Sequence, residues 1–248
     1  MTLSDSILRV GRGAAALVFP PRCLLCGVLV QSDGGLCPDC WGNTAFLAGL
    51  CCDSCGTPLI GPDPGIPVRC DTCRDRPPPW QRGRAVFRYA RGGRRLVLGL
   101  KHGDRTDLVP GMARWMAARA APLIRPDTLV VPVPLHWRRL AKRRYNQSAL
   151  LANALARQIH RPCCPDFLIR PHATRKLDGL SAEERFAQLD EAIGPNPRRR
   201  GRAEGRAVLL VDDVMTSGAT LSVSAQACLK AGAARVDVVV LARVCRDD

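Results

Sequence analysis

The chain has 248 residues, and its 37 Lys and Arg against 22 Asp and Glu give a formal net charge of +15 and a pI near 9.8. A composition that is 46% hydrophobic and holds 13 cysteines argues against a disordered polyelectrolyte and for a folded protein of one large domain, or one ordinary domain and a smaller one. The charge attracts polyanions, whether nucleic acid, anionic lipid or phosphorylated small molecules, and does not choose among them; an arginine-rich composition also follows from a GC-rich genome.

Residues 1–22 are expected to form a helix ending in the apolar run 14–19, which is too short to span a bilayer and lacks a cleavage site before Pro20-Pro21. No other segment approaches the ~18 uninterrupted apolar residues that a membrane span requires, so a soluble, cytoplasmic protein is expected.

Residues 23–76 hold four Cys-x-x-Cys pairs: Cys23/Cys26, Cys37/Cys40, Cys52/Cys55 and Cys70/Cys73. Each pair can place two thiolates on one metal, and two pairs complete a closed, structural Zn2+ site. Gly27 and Gly56 follow their pairs directly, where a knuckle turns with positive φ. The intervening loops of ten and fourteen residues fit two successive zinc ribbons; interleaved pairing and a single zinc both stay open, and Cys51 can stand in as a ligand. The remaining Cys163, Cys164, Cys228 and Cys245 lack partner spacing and read as small hydrophobes. A module so poor in core residues folds with its metal and presents a surface, either to a partner or as a scaffold.

Residues 77–83, opening on Pro77-Pro78-Pro79-Trp80, form a stiff linker. Residues 84–248 then alternate strands and helices. Strands are expected at 85–89, 128–134, 167–170, 207–211 and 236–242, and helices at 91–101, 108–121, 146–159 and 221–231. This predicts the α/β class, a parallel sheet with helices on both faces. The basic, proline-rich segment 194–206 is expected to be a flexible loop over the site or a contact for nucleic acid.

The chemistry concentrates at 207–220. Five consecutive apolar residues suit a strand covered on both faces, and Asp212 and Asp213 fall at its carboxyl end, where open α/β sheets bind ligands. Thr216, Ser217, Gly218, Ala219 and Thr220 follow as a short loop entering a helix, which offers backbone amides and a positive dipole end to a phosphate. Carboxylates for ribose hydroxyls beside a phosphate cradle describe recognition of a phosphorylated sugar. A second strand end, Val133-Pro134-Leu135-His136, runs into a basic stretch that includes Arg143 and Arg144.

The 207–220 segment closely resembles the phosphoribosyl pyrophosphate (PRPP) motif of type I phosphoribosyltransferases. That resemblance implies Asp212 and Asp213 on the ribose, Thr216 to Thr220 on the 5′-phosphate, and Val133, Pro134, Leu135, His136, Arg143 and Arg144 on pyrophosphate, with Mg2+ accompanying PRPP. Lys101 and Arg105 are placed to add charge, and His102 and His136 are the candidate bases. The cysteine pairs followed by Arg82-Gly83-Arg84-Ala85, the stretch 100–105, Val131-Pro132-Val133-Pro134, the stretch 143–147 and Gly179-Leu180-Ser181 with Arg185 is an order similar to the ComF (competence protein F) family. Leu177 and Gln188 stand where that family usually carries Gln and Asn. The resemblance implies a double zinc ribbon fused to a phosphoribosyltransferase domain that acts in DNA uptake, with PRPP, single-stranded DNA and proteins of the uptake machinery as partners. The alternative is a transferase passing phosphoribose from PRPP to a nitrogenous base in nucleotide salvage.

Overall fold

The computed structural model describes residues 20–135, 145–170 and 193–245. Among these the strands are β1 (Gly83–Arg88), β2 (Leu129–Pro132), β3 (Leu168–Ile169), β4 (Gly194–Pro195), β5 (Ala207–Met215) and β6 (Arg235–Arg243), and the α-helices are α1 (Pro38–Gly42), α2 (Asp71–Asp75), α3 (Arg91–His102), α4 (Val109–Ala120), α5 (Gln147–Gln158) and α6 (Ala219–Lys230). Four strands form one parallel sheet in the order β1-β6-β5-β2. The unbroken apolar runs of β5 and β6 follow from burial on both faces. Leu96, Leu100, Met112, Met116, Leu151 and Leu155 of α3, α4 and α5 cover one face, against Val130, Leu209, Val211 and Val239. On the other, Leu221, Val223 and Ala225 of α6, with Phe167 and Leu168, pack on Val131, Val208, Leu210 and Val238.

The cysteine-rich segment packs on the exposed edge of this sheet. Strand β1 is an edge, and its open backbone groups are taken up from outside: Leu47 N donates to Val86 O at 2.8 Å, Arg88 N to Ala45 O at 2.9 Å and Gly83 N to Asp53 O at 2.8 Å. Covering an edge in this way removes a row of unpaired amides and carbonyls. The two halves of the segment straddle it. Leu24, with Leu25, Leu36 and Phe46 packed alongside, joins the α3/α4/α5 core, whereas Leu47, Cys52, Cys55 and Cys73 join the α6 core. Asp53 fastens the second half: its carboxylate accepts from Arg82 Nε at 3.0 Å and Arg84 Nη2 at 2.6 Å. Burial opposes ionisation of Asp53, but the hydrogen bonds from Arg82 and Arg84 outweigh it and hold its pKa below the usual value.

Four expectations need correction. Trp80 of the predicted linker is buried at 6% exposure and belongs to the core. Strand β5 runs to Met215 and carries Asp212 and Asp213 within it, because β6 continues to pair with it through Arg243 while β2 stops opposite Val211. The segment at 167–170 contributes only β3, paired antiparallel with β4 outside the main sheet. The basic stretch 194–206 is folded rather than loose: Asn196 caps a 3-10 helix, Pro197–Arg202, and Arg199 Nε donates to Asp166 Oδ2 at 2.9 Å. It enters β5 at the end opposite the carboxylates. The expected helix at 1–22 lies almost wholly outside the described residues.

Candidate functional site

Three clusters carry chemistry. The four sulfurs of Cys23, Cys26, Cys37 and Cys40 lie within 4.8 Å of one another, and so do those of Cys52, Cys55, Cys70 and Cys73. Pairing is therefore sequential, not interleaved. Four thiolates at about 2.3 Å from Zn2+ have tetrahedral edges of about 3.8 Å; Cys26 to Cys37 measures 3.6 Å and Cys55 to Cys70 3.8 Å. Both tetrads fit a closed structural zinc. Positive φ at Gly27 and Gly56 (78° and 71°) turns the knuckles as expected, and α1 and α2 begin directly after Cys37 and Cys70, one helical turn setting Cys40 and Cys73 on the same side. The Cys55 thiol is held down to about 4, chiefly by the hydrogen bond with Cys52, with the Arg243 guanidinium pulling the same way against burial. Cys51 stays outside both tetrads and receives Arg119 Nη2 at 3.6 Å. Cys164 and Cys228 are core residues, and burial pushes the Cys163 thiol up to about 12.

The third cluster lies where β5 outruns β2. Asp212 Oδ1 accepts from Ser148 Oγ at 2.8 Å and from the Asp213 backbone N at 2.9 Å. Asp213 pairs with Lys101 Nζ at 3.1 Å. Burial, and next the adjacent Asp213 charge, raise the Asp212 carboxyl from 3.8 to about 7, although Ser148 and Lys101 act the other way. Two helices deliver the side-chain partners. Lys101 comes from the last turn of α3, where Tyr145 OH donates to Leu100 O at 2.8 Å. Ser148 comes from the first turn of α5, capped by Asn146, whose Oδ1 accepts from Ser148 N and whose Nδ2 donates to Val133 O at 3.2 Å. One asparagine thus ties the exit of β2 to the helix that holds Asp212.

The loop after β5 completes the site. Thr216 and Ser217 are exposed, Ala219 and Thr220 are half-buried, and Gly218 is buried in a left-handed conformation with φ 83° as the N-cap of α6. Its carbonyl accepts from Ser222 N at 2.8 Å. The amides of the first turn of α6 face away from the helix body, as an anion site requires. Val133 and Pro134 are buried and Leu135 half-buried beside this end of the sheet, with Val133 N donating to Val211 O at 2.9 Å. His136, Arg143 and Arg144 lie outside the described residues, as do Leu177, the stretch 179–181, Arg185 and Gln188. Of the two extra cations, Lys101 joins the site; Arg105 instead pairs with Asp107 at 2.7 Å. His102 is exposed at the end of α3.

Ser148, Trp80 and Arg243 had escaped the sequence reading. Ser148 was detectable in principle, because it opens the helix expected at 146–159, the next one after the strand expected at 128–134, and such a helix starts near the carboxyl end of a parallel sheet. No aromatic residue adjoins the loop in sequence, yet in space Trp80 lies against Gly218, where an added Cβ would stand 3.2 Å from the indole Cη2.

Residues 14–74 match the Double zinc ribbon domain family and residues 146–247 the Phosphoribosyl transferase domain family. The chain is 35% identical over 234 residues to the DNA utilization protein YhgH of Escherichia coli (strain K12), covering 92% of this chain and 99% of that one. It is 29% identical over 232 residues to Competence protein F of Haemophilus influenzae, with 91% and 98% covered. Against Competence protein ComFC of Bacillus subtilis the identity is 27% over 218 residues, with 83% and 82% covered. Among the described residues no helix is long and apolar enough to cross a membrane.

Proposed function

The chain belongs to the ComF (competence protein F) family, and from that premise we propose that it binds PRPP with Mg2+ at the carboxyl end of β5 and handles single-stranded DNA during DNA uptake, in the cytoplasm. The observation that carries the reading is the junction of two carboxylates, each held by a partner from a different helix, with a left-handed glycine that opens α6. Asp212 and Asp213 accept hydrogen bonds from the ribose hydroxyls. The amides at 217–220 and the hydroxyls of Thr216, Ser217 and Thr220 take the 5′-phosphate. Val133, Pro134 and Leu135, with His136, Arg143 and Arg144, form the pyrophosphate loop. Lys101 Nζ, 3.1 Å from Asp213, faces the arriving polyanion. Mg2+ held mainly by PRPP oxygens and water neutralises the diphosphate.

A different surface suits the nucleic acid. Trp41 is 50% exposed and stacks on Phe46 at 4.2 Å, which fixes its ring as a platform for a base. Two residues further on, Asn43 O accepts from Gly92 N at 3.1 Å, which brings the exposed Arg91, Arg94 and Arg95 of α3 alongside the same ribbon. Stacking plus arginines on phosphates gives sequence-tolerant, salt-dependent affinity.

Calorimetry with Mg–PRPP tests the site: Asp212→Asn combined with Asp213→Asn abolishes measurable binding, and unchanged affinity refutes the assignment. A titration of single-stranded DNA against salt tests the second half, and the absence of a complex at low salt refutes it. Assaying pyrophosphate release from PRPP with a panel of nitrogenous bases separates a transferase in nucleotide salvage from a DNA-handling factor that only binds the ligand.

A further inference from the structure

The second cysteine tetrad and the loop at 216–220 are joined by one side chain. Trp80 directs its indole Nε1 to Ser54 O at 2.6 Å, and Ser54 is one of the two buried residues between the ligands of the Cys52/Cys55 knuckle. The far rim of the same ring rests on Gly218: a Cβ built there would lie 3.2 Å from Cη2 and 4.0 Å from Cζ2. One rigid indole therefore spans from the metal knuckle to the residue that sets the turn of the loop. It has little freedom to do otherwise, being 6% exposed and packed in the core that also holds Cys52, Cys55, Cys73 and Leu221.

The entry to the loop is restrained separately. Arg243, the last residue of β6, donates through Nη1 to Met215 O at 3.1 Å, to Thr216 O and to Val244 O at 2.7 Å. Val244 N returns a bond to Met215 O at 2.9 Å. The entry to the loop is thus gripped by a guanidinium from the end of β6. The first tetrad has no comparable link among the described residues: Leu24, Leu25 and Leu36 of its ribbon pack with the core on the other face of the sheet.

We propose that Trp80 is a positioning residue for the phosphate loop, transmitting the fixed geometry of the second zinc knuckle to Gly218, so that metal in the second tetrad is required for phosphosugar binding. The inference rests on the reading that this loop holds the 5′-phosphate of PRPP. A rigid loop matters because its amides must converge on one anion before binding; displacements near 1 Å are enough to weaken such sites strongly. Zinc here is a support at a distance, and no step of chemistry passes through it.

The test uses the full chain with Trp80→Phe, which removes the N–H and shortens the reach to Gly218, and Trp115→Phe on α4 as a control that also loses an indole. Expected for Trp80→Phe are two zinc ions per chain by native mass spectrometry and a cooperative thermal melt. Backbone hydrogen exchange should quicken at 216–220. Affinity for Mg–PRPP and for ribose 5-phosphate should weaken by about tenfold, as for the loss of one buried hydrogen bond and its packing, while affinity for inorganic pyrophosphate holds. Trp115→Phe should change none of these. Cys70→Ser, which removes a ligand of the second tetrad, should raise exchange at the same amides; should that variant fail to fold, Trp80→Phe alone decides. Unaltered exchange and affinity in Trp80→Phe overturn the proposal, as does a Cys70→Ser chain that folds with one zinc and a fully protected loop. Should the wild-type chain bind no PRPP, the ligand assignment fails while the exchange data still judge the link.

Discussion

Asp212→Asn is expected to stabilise the unliganded protein while removing its ligand. In the folded chain the carboxyl sits at about 7 against an ordinary 3.8, raised first by burial and then by the neighbouring Asp213. A carboxyl whose folded pKa exceeds its unfolded one is fully compatible with folding below about pH 4, and stability is lost as pH rises from there through about 7. At about 1.4 kcal/mol per tenfold in proton affinity, the ceiling on that loss is about 4 kcal/mol. Asp212 is half-buried and Lys101 stands close by, so screening brings the expected value to about 1–2 kcal/mol. The amide keeps an oxygen for Ser148 Oγ and the Asp213 N–H and loses only the charge. Thermal melts followed by circular dichroism between about pH 5 and pH 8.5 should show the variant gaining as pH rises, reaching roughly 3–6 °C at the alkaline end. Acid weakening of the zinc sites affects both proteins alike and cancels in the difference. An advantage that does not vary with pH, or a variant less stable than the parent at about pH 8, would refute the reasoning.

Further outcomes follow from other contacts. Lys101→Met leaves Asp213 without its cation and should weaken Mg–PRPP by roughly tenfold or more in calorimetry, because two adjacent carboxylates then face a polyanion alone; unchanged affinity would place Lys101 outside the site. Gly111→Ala should lower stability in urea by about 1–3 kcal/mol, since the added Cβ would lie 2.6 Å from Gly34 O of the first ribbon, and overpacking against backbone outweighs the ~1 kcal/mol gained in helix propensity. Asp53→Ala leaves Arg82 and Arg84 facing a partly buried gap, and should lower stability in urea by about 2–4 kcal/mol. Chelation of zinc should depress the melting of the whole chain in one transition, because both ribbons belong to the cores of the sheet; an unchanged melt of the residues after 84 would show the ribbons to be independent.

Local signals were legible wherever neighbours in sequence are also neighbours in chemistry. The ligand spacing at Cys52, Cys55, Cys70 and Cys73, the apolar run at 207–211 and the helix at 146–159 all act within a few turns or one strand, so their residue types alone imply their form. The extent of β5 was not legible. Whether Asp212 lies in a strand or beyond it depends on the length of β6, which no residue near Asp212 encodes. The basic segment 194–206 misled for a similar reason: its composition reads as loose, but Asn196 and Asp166 order it through contacts with another part of the chain.

The sequence by itself determined the two metal tetrads in kind, the α/β class, the carboxylate pair and its phosphate-sized loop, because each rests on spacing shorter than about one helical turn or one strand. The tertiary structure alone decided which cysteines share a metal, which cations face Asp212 and Asp213, and that the ribbons cover the open edge of β1. The last two turn on the order β1-β6-β5-β2, which carries Lys101 and Ser148 from two separate segments to the carboxyl end of β5. Long-range packing energy fixes that order, and local pattern is blind to it.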